Sequence, residues 1–272
     1  MRADRPIGTF LLLWPTLTAL TIAGNGKIEN YLLIVFCIGA FLMRSAGCVI
    51  NDYFDQDIDK KVFRTSTRPL ATGKVNNFEA LSLFIFLLSL SALLLVFLNL
   101  LSLLVATSLA ILVAFYPLAK RIMKIPQIVL GIVFSGGIPM AFSASVNEIP
   151  FIAFILMLAN FCWILSYDTA YAMTDRDDDQ LLNIGNSAIF FKGNEKLMVC
   201  LGSLINFFLI LIIGLNENIN LYFYIFSVIN GFLLIYSINM IDEENPDTFF
   251  DFFKKNNYVG ILIFMSFYIG LN

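Results

Sequence analysis

Residues 80–98 read ALSLFIFLLSLSALLLVFL, a run without a charge, a glycine or a proline. A run of this kind fits a membrane-spanning helix, because the bilayer hydrocarbon is about 30 Å thick and a helix rises about 1.5 Å per residue. Similar runs recur along the 272 residues, of which 59% are hydrophobic and 14% charged. The mean hydropathy is +0.82, well above that of soluble domains. The sequence therefore predicts an integral membrane protein that crosses the lipid bilayer several times.

The apolar runs also decide between helices and barrel strands. Backbone polar groups cannot stay unpaired in hydrocarbon, so spans are either α-helices or strands of a closed barrel. Runs of about 18 to 22 residues fit helices, whereas barrel strands would be about 10 residues long and alternating. We predict an all-α fold of about nine transmembrane helices in one domain, residues 1–272. The predicted spans are 7–24, 31–50, 78–97, 99–117, 126–145, 150–168, 197–215, 219–240 and 258–271.

The distribution of positive charge supports this topology. If the N-terminus is cytoplasmic, fifteen of the 17 Lys and Arg residues fall in cytoplasmic segments, Lys27 falls on the opposite side and Arg44 lies within a span. Such an asymmetry follows the positive-inside rule. Residues 1–24 are basic and then apolar, like a secretory signal, but the long apolar run with Trp14 and Pro15 favours a first span.

The residue types that are missing exclude several kinds of chemistry. The chain has no histidine, which removes imidazole acid–base catalysis and histidine-ligated zinc or haem. The four cysteines are scattered through apolar segments without the spacing of a disulfide framework or a thiolate metal site. No basic nucleic-acid footprint is present, and the net charge of −3 sums a basic inner face with two acidic clusters. The chemistry must therefore use carboxylates, cations and hydroxyls.

The first acidic cluster, residues 51–59 (NDYFDQDID), follows the second predicted span. If the helix continues, Asp52, Asp55 and Asp59 lie on one face and Asp57 points towards solvent. Carboxylates crowded in this way bind cations or raise their pKa values, and a site made of oxygen ligands favours magnesium. The alternative is an ordinary acidic helix end at the membrane surface.

A basic segment, residues 64–73 (RTSTRPLATG), comes directly after these acids. The guanidinium groups of Arg64 and Arg68 suit phosphate oxygens, so acids and arginines together predict a magnesium diphosphate ligand. Positive-inside topology alone is the alternative explanation for this basic segment. Lys120 and Arg121 in the next cytoplasmic loop could add phosphate contacts, although snorkelling towards the membrane surface is an equal alternative for either.

The second acidic cluster, residues 168–179 (DTAYAMTDRDDD), follows the sixth predicted span on the same side. On a continuing helix, Asp168, Tyr171, Asp175 and Asp179 share one face, while Asp177 and Asp178 are predicted to be solvated. The Asp-x-x-x-Asp pair repeats the spacing of the first cluster 120 residues earlier. Two acidic faces at one surface can hold metal ions between them, so the two halves are predicted to form one site.

In these motifs the sequence resembles the UbiA superfamily of intramembrane aromatic prenyltransferases. The resemblance covers nearly the whole chain, including residues 5–9, 13–16, 188–191 and 255–260. It implies nine helices around a central cavity, in a bacterial inner membrane with the active site facing the cytoplasm. The family commonly has a short amphipathic segment before the first helix, where only residues 1–5 stand here. No obligate protein partner is implied.

The resemblance also implies a reaction, the transfer of a prenyl group from polyprenyl diphosphate to an aromatic ring. Magnesium is expected at the carboxylates, with arginines and Lys120 on the diphosphate. Asn51 is expected to orient the acceptor or a metal-bound water, and Tyr171 to contact the diphosphate. The implied metal ligands are Asp52, Asp55, Asp59, Asp168, Asp175 and Asp179; the implied catalytic residues are Asp52, Asp55, Asp175 and Asn51; the implied substrate-binding residues are Arg44, Arg64, Arg68, Lys120 and Tyr171.

Arg44 indicates which acceptor substrate the protein uses. It lies seven residues before Asn51, about two helical turns deeper, where an unpaired cation would be costly. The carboxylate of 4-hydroxybenzoate would neutralise it, in agreement with the ubiquinone-synthesis branch that the sequence most resembles; pairing with a protein carboxylate is the alternative. Acceptors such as homogentisate, dihydroxynaphthoate, haem or glycerol phosphate remain alternatives within the superfamily. A cation-coupled transporter is disfavoured because the acids lie at helix ends and not at mid-membrane.

Overall fold

The protein is all-α over the part of the chain that the computed structural model describes. That part is residues 3–4, 6–62, 64–182, 184–217 and 219–272, with only the backbone described for residues 114–121. The helices are α1 Ile7–Ala23, α2 Asn30–Phe54, α3 Gln56–Asp59, α4 Asn77–Leu94, α5 Leu100–Ile122, α6 Gln127–Ser135, α7 Gly137–Val146, α8 Phe151–Ala172, α9 Arg176–Leu181, α10 Ser187–Phe190, α11 Glu195–Asn216, α12 Leu221–Asn239 and α13 Pro246–Gly270.

The predicted membrane character is confirmed by the lengths of these helices. Six helical segments in the described ranges are long and apolar enough to cross a bilayer, and two shorter apolar helices lie at Ile7–Ala23 and Leu100–Val113. The six are Asn30–Phe54, Asn77–Phe97, Gln127–Val146, Phe151–Ala172, Glu195–Asn216 and Leu221–Asn239. The count of nine spans stays a prediction, because α13 combines an apolar C-terminal half with charged residues nearer its start.

Two predicted spans differ from the observed helices. The span predicted at 126–145 is divided into α6 and α7 at Gly136. At Gly137 a Cβ atom would lie 2.1 Å from Thr16 Oγ1, so the glycine permits close approach to α1 where the helix is interrupted. The last span, predicted at 258–271, is longer and begins at Pro246, where the side chain of Asn245 caps the first turn.

The bundle is built around α8, which packs along α11 and against α6, while α1 packs against α13 and α7. Small residues on α8 allow its neighbouring helices to pack closely against it, since Ala153, Ala159 and Ala170 are fully buried. The core is filled by large side chains such as Trp163 and Phe223. By contrast, α4 packs mainly on α2 and leaves most of its leucine-rich surface exposed to lipid.

Hydrogen bonds between loops identify the two ends of the bundle. At one end, the Asn272 side chain donates to the Gly26 carbonyl over 2.9 Å, which joins the C-terminus to the α1–α2 connection. At the other end, the Ser187 N–H donates to Gln127 Oε1 over 3.2 Å. The segments after α5 and α8 therefore meet at one end, the end that the charge pattern assigns to the cytoplasm, and Arg64 of the segment after α2 bonds to Asp175 at the same end.

Candidate active site

The first acidic cluster lies where α2 ends. Asp55 follows the last helical residue with φ −93° and ψ 4°, and α3 then begins at Gln56. The Asp55 N–H donates to the Asn51 carbonyl over 2.9 Å, and the Asp59 N–H donates to the Asp55 carbonyl over 2.7 Å. The side chains of Asp55 and Asp59 are buried. The chain thus turns at Asp55 and carries both carboxyl groups inward.

The second cluster repeats this local structure. Asp175 follows the end of α8 with φ −113° and ψ 1°, and α9 then begins at Arg176. The Asp179 N–H donates to the Asp175 carbonyl over 2.8 Å, as Asp59 does to Asp55. The repeated Asp-x-x-x-Asp spacing therefore corresponds to a repeated helix–turn–helix junction, one in each half of the chain.

The prediction that each cluster lies on one continuous helix is wrong. Helix α2 ends at Phe54 and α8 ends at Ala172, before the later acids of each cluster. Aspartate is a poor helix former and neighbouring carboxylates on one helix face repel each other, so a turn at the junction relieves both costs. Asp57 and Asp177 point outward, with 85% and 90% of their side-chain surfaces exposed, as predicted. Asp178 is half-buried, so its predicted solvation is only partial.

Arg64 joins the two clusters. Its Nε donates to Asp175 Oδ1 over 2.8 Å, and its terminal nitrogens bond to Asp175 Oδ2 and to the Tyr171 hydroxyl. The guanidinium carbon also lies 4.7 Å from the centre of the Tyr171 ring. Burial acts to lower the pKa of Arg64, but the hydrogen bonds and charges of Asp175 and Tyr171 outweigh it and raise that pKa further.

Arg68 holds the first cluster together from within. One of its terminal nitrogens lies 2.8 Å from both carboxylate oxygens of Asp59 and 3.1 Å from Asp52 Oδ1. Burial raises the pKa of the Asp59 carboxyl, although the charge and hydrogen bond of Arg68 act in the opposite direction. The two arginines predicted to bind phosphate therefore serve here as counter-ions of the acids.

Both clusters open into one cavity of about 1170 Å³. The side chain of Lys120, a predicted diphosphate ligand, lies outside the described residues. All other predicted site residues line the cavity: Arg44, Asn51, Asp52, Asp55, Asp59, Arg64, Arg68, Asp168, Tyr171, Asp175 and Asp179. Within the described ranges, no three acidic side chains are close enough together to surround one metal ion. The carboxylates converge on a common space with arginines between them.

Arg44 lies deeper in the same cavity, on α2. Its guanidinium carbon is 5.6 Å from the centre of the Phe134 ring, and Gly8 of α1 leaves the space that the guanidinium occupies. A Cβ at Gly8 would lie 2.6 Å from Arg44 Nε. Among the described residues, no carboxylate forms an ion pair with Arg44. The arginine is therefore available to an anionic ligand in the cavity.

Several residues of the site were not predicted from the sequence. Asn186 is buried and lines the cavity, and its Nδ2 donates to Asp179 Oδ2 over 2.6 Å and to the Ala172 carbonyl over 3.2 Å. Its Oδ1 accepts from the Ala188 N–H, which caps α10. Gln127 Oε1 accepts a hydrogen bond from the N–H of Ser187, the next residue of this loop. The sequence feature that could have identified Asn186 is its position directly before Ser187, where an asparagine favours the start of a helix.

Aromatic side chains from α13 complete the wall beside the second cluster. Phe253 lies 4.8 Å from Tyr171 between ring centres, and Phe250 stacks on Phe253 at 6.0 Å. Both phenylalanines line the cavity. Because they lie in the charged first half of α13, which the predicted span omitted, they could not be selected from the hydropathy pattern.

The sequence and fold resemble those of known proteins. A 4-hydroxybenzoate octaprenyltransferase of Yersinia enterocolitica is 42% identical over 270 residues, covering 99% of this chain and 94% of the relative. The apo structure of a UbiA homolog from Aeropyrum pernix K1 superposes with a TM-score of 0.84 at 21% identity, covering 99% of this chain and 98% of the other.

A second solved structure shares the fold. It is a UbiA homolog from Archaeoglobus fulgidus bound to GPP and Mg²⁺, with a TM-score of 0.75 at 18% identity, covering 98% of this chain and 97% of the other. The profile of the UbiA prenyltransferase family matches residues 12–267. The all-α membrane fold, the paired acidic junctions and this match agree, and the chain belongs to the UbiA prenyltransferase family.

Proposed function

We propose that this protein transfers a polyprenyl group from polyprenyl diphosphate to 4-hydroxybenzoate, at the ring carbon ortho to the hydroxyl. The product is 3-polyprenyl-4-hydroxybenzoate, an intermediate of ubiquinone biosynthesis. The single observation that carries the acceptor assignment is the position of Arg44, a cavity-lining cation without an ion-pair partner in the described chain. The octaprenyltransferase relative, which matches nearly the full length of both chains, supports the same assignment.

The acceptor would bind with its carboxylate on Arg44. A guanidinium group forms paired hydrogen bonds with a carboxylate, and burial in an apolar bundle strengthens the preference for an anionic partner. Arg44 lies seven residues before Asn51 on α2, so the ring would extend from Arg44 towards the acidic end of the cavity. This orientation brings the hydroxyl-bearing edge of the ring towards the donor.

The donor diphosphate would bind at the acidic end. The site offers carboxylate oxygens without histidine or a described cysteine cluster, a donor set that suits a hard divalent cation. We assign the metal ligands as Asp52, Asp55, Asp59, Asp168, Asp175 and Asp179. The Archaeoglobus fulgidus homolog bound to GPP and Mg²⁺ supports magnesium as the ion. When bound, magnesium neutralises diphosphate charge and so favours its departure.

Arg64 and Arg68 would change partners when the donor arrives. In the structure Arg64 forms an ion pair with Asp175, and Arg68 forms ion pairs with Asp59 and Asp52. With those carboxylates holding a divalent cation, the guanidinium groups of Arg64 and Arg68 would be free to bind the nearby phosphate oxygens, for which their geometry is suited. The arginines would therefore offset part of the negative charge of the acidic site before the donor binds, and would hold the diphosphate afterwards.

The reaction itself is an electrophilic aromatic substitution. The allylic C–O bond breaks and its electron pair leaves with the diphosphate, which gives an allylic cation. The ring carbon ortho to the acceptor hydroxyl attacks this cation to form the new C–C bond, and loss of a proton from the same carbon restores the aromatic ring. The apolar walls from α2, α4 and α5 keep water away from the cation.

The location follows from the fold and the charge pattern. The chain is an integral membrane protein, and we assign it to the bacterial inner membrane with the acidic end of the cavity facing the cytoplasm. The concentration of Lys and Arg at that end supports this orientation. A soluble donor head group would then enter from the cytoplasm, while the tail stays in the bilayer.

An acceptor comparison tests the proposal. Membranes that contain the protein are incubated with magnesium, a polyprenyl diphosphate and radiolabelled 4-hydroxybenzoate, with labelled homogentisate in a parallel reaction. We expect labelled lipid from 4-hydroxybenzoate alone, and none after EDTA treatment. Product from homogentisate alone would overturn the acceptor assignment, and absence of product with either acceptor would overturn the proposed reaction.

A further inference from the structure

Tyr167 of α8 is a buried polar side chain at the cavity to which the proposed reaction gives no role. It is 3% exposed, and it lines the cavity with Asp168, Tyr171 and Asp175 of the same segment. Its hydroxyl has no hydrogen-bond partner among the described residues. A hydroxyl that leaves water without gaining a partner costs free energy, so an unpaired hydroxyl beside a cavity indicates a partner that enters with a ligand.

Neighbouring aromatic side chains hold the ring of Tyr167. Trp163 packs against it edge-to-face with 5.4 Å between ring centres, and Phe253 of α13 packs against it at 6.0 Å. The Trp163 ring is itself held, because its indole N–H donates to Asn256 Oδ1 over 2.6 Å. Such packing fixes a ring but leaves a hydroxyl unsatisfied. The Tyr167 ring is therefore fixed by the protein, while its hydrogen bond is left for another partner.

The charges that act on the Tyr167 hydroxyl are those of Asp168 and Arg44. Asp168 is the next residue of α8, whereas Arg44 belongs to α2 and lines the same cavity. Tyr167 lies five residues before the end of α8, and helix side chains lean towards the N-terminus of their helix. The hydroxyl is thus directed away from the acidic end of the cavity. An anion bound to Arg44 would approach this hydroxyl.

We propose that Tyr167 is a second binding residue for the acceptor, and that its hydroxyl donates a hydrogen bond to the carboxylate that Arg44 holds. A carboxylate has about four acceptor positions on its two oxygens, so it can take the paired bonds of a guanidinium and a further bond from a hydroxyl. The buried hydroxyl gains the partner that it lacks in the described protein. The inference rests on the proposed function and adds a residue to its acceptor site.

The first test is Tyr167→Phe, which removes the hydroxyl and keeps the ring. We expect the KM for 4-hydroxybenzoate to rise about tenfold and the donor KM to change less than about twofold, because hydrogen bonds to charged groups are stronger than neutral ones. The matched control is Tyr224→Phe, the same chemical change at a half-buried tyrosine of α12 that does not line the cavity. Both KM values should stay at the wild-type level in the control.

Thermal unfolding in detergent separates ligand binding from a structural role of the hydroxyl. Without ligand, Tyr167→Phe should unfold at or above the wild-type temperature, because the hydroxyl that it removes has no described partner. At one fixed concentration of 4-hydroxybenzoate, the rise in unfolding temperature should be smaller in Tyr167→Phe than in the wild type, since stabilisation by a ligand follows its affinity. A lower unfolding temperature without ligand would assign the hydroxyl to structure and overturn the proposal.

The double variant Arg44→Ala/Tyr167→Phe tests whether both side chains hold the same carboxylate. Without the guanidinium the carboxylate is no longer held beside the hydroxyl, so the combined rise in acceptor KM should be smaller than the product of the two single rises. A rise equal to that product would overturn the shared carboxylate.

The single variant can also overturn the proposal. A wild-type acceptor KM in Tyr167→Phe, or equal rises in the KM of both substrates, would exclude Tyr167 as an acceptor-binding residue. Absence of product from wild-type protein with 4-hydroxybenzoate would instead overturn the proposed function, so the two failures are distinguishable.

Discussion

At the scale of single residues, Arg44 is the residue whose substitution should affect binding of the acceptor more than binding of the donor. It lines the cavity away from the acid clusters and packs against Gly8 and the Phe134 ring. We expect Arg44→Ala to raise the KM for 4-hydroxybenzoate at least about tenfold with a smaller change for the donor, because a charged hydrogen-bonded pair contributes about 1.5–3 kcal/mol. Steady-state kinetics with each substrate varied in turn measures both effects.

The conservative variant sharpens this prediction. Arg44→Lys keeps the positive charge but loses the paired donors, so its acceptor KM should fall between those of the wild type and Arg44→Ala. Equal changes in the KM of both substrates would reassign Arg44 to a structural role.

A substitution at Asn186 tests whether this side chain positions the second acidic cluster. It donates to Asp179 and to the Ala172 carbonyl from a buried position, so it positions the loop after α9 against the end of α8. We expect Asn186→Ala to raise the magnesium concentration needed for half-maximal activity about tenfold, as removal of supporting residues at metal sites generally does. A magnesium titration of the activity measures this shift.

The control for Asn186→Ala is a substitution in the second acidic cluster. Asp177 is 90% exposed in its side chain, so Asp177→Asn removes an acid without touching the cavity. Its magnesium requirement should match that of the wild type. A similar shift in both variants would show that the magnesium requirement does not depend specifically on the position of Asp179.

Which residues belong to the site could be predicted largely from spacing, but their contacts could not. Repeated Asp-x-x-x-Asp pairs in an apolar chain identified the acids, and Arg44 was found because a charge within a span is costly. The pairing of Arg64 with Asp175 joins positions 111 residues apart, so it depends on how the helices pack. Asn186 was missed because its polar partners come from other segments.

At the scale of elements, hydrophobic runs predicted the helices well where lipid surrounds them and poorly where they enter the site. The turns at Asp55 and Asp175 were not predicted, because spacing alone cannot distinguish one long helix from two that meet at a junction. The start of α13 at Pro246 was missed because its first turns carry charges yet bury Phe249 and Phe252. Tertiary packing, which a hydropathy pattern does not contain, decides both cases.

The three helices α1, α8 and α13 pack closely at Gly260, so a larger side chain there should destabilise the protein. A Cβ at Gly260 of α13 would lie 2.6 Å from Trp14 and 2.9 Å from Trp163, whose indole N–H groups donate to Asn257 and Asn256. Neither ring can move without breaking its hydrogen bond. We expect Gly260→Val to destabilise the protein by about 1–3 kcal/mol, the usual cost of overpacking.

Thermal unfolding in detergent measures the effect of Gly260→Val. Tyr258→Val on the same helix is the control, because Tyr258 is exposed to lipid and its replacement should change the unfolding temperature little. Unfolding of Gly260→Val at the wild-type temperature would show that the helices can separate at this contact without cost.

At the scale of the whole molecule, each half of the chain supplies one helix–turn–helix junction with the same Asp-x-x-x-Asp spacing, and the fold brings the two junctions to one cavity. Arg64, from the first half, bonds to Asp175 of the second, so the halves are coupled through the site itself. We therefore infer that the donor diphosphate binds between the two clusters and needs both.

Magnesium-dependent binding of a tritiated, non-reactive farnesyl thiodiphosphate to purified protein shows whether both clusters are needed. Wild type, Asp55→Asn and Asp175→Asn are compared at millimolar magnesium, with Asp57→Asn as an exposed control from the same region. We expect each of the two site variants, one from each half, to weaken binding at least about tenfold while remaining folded, since each removes a carboxylate ligand of the proposed metal site. Wild-type affinity in either variant would contradict a single site shared by both clusters.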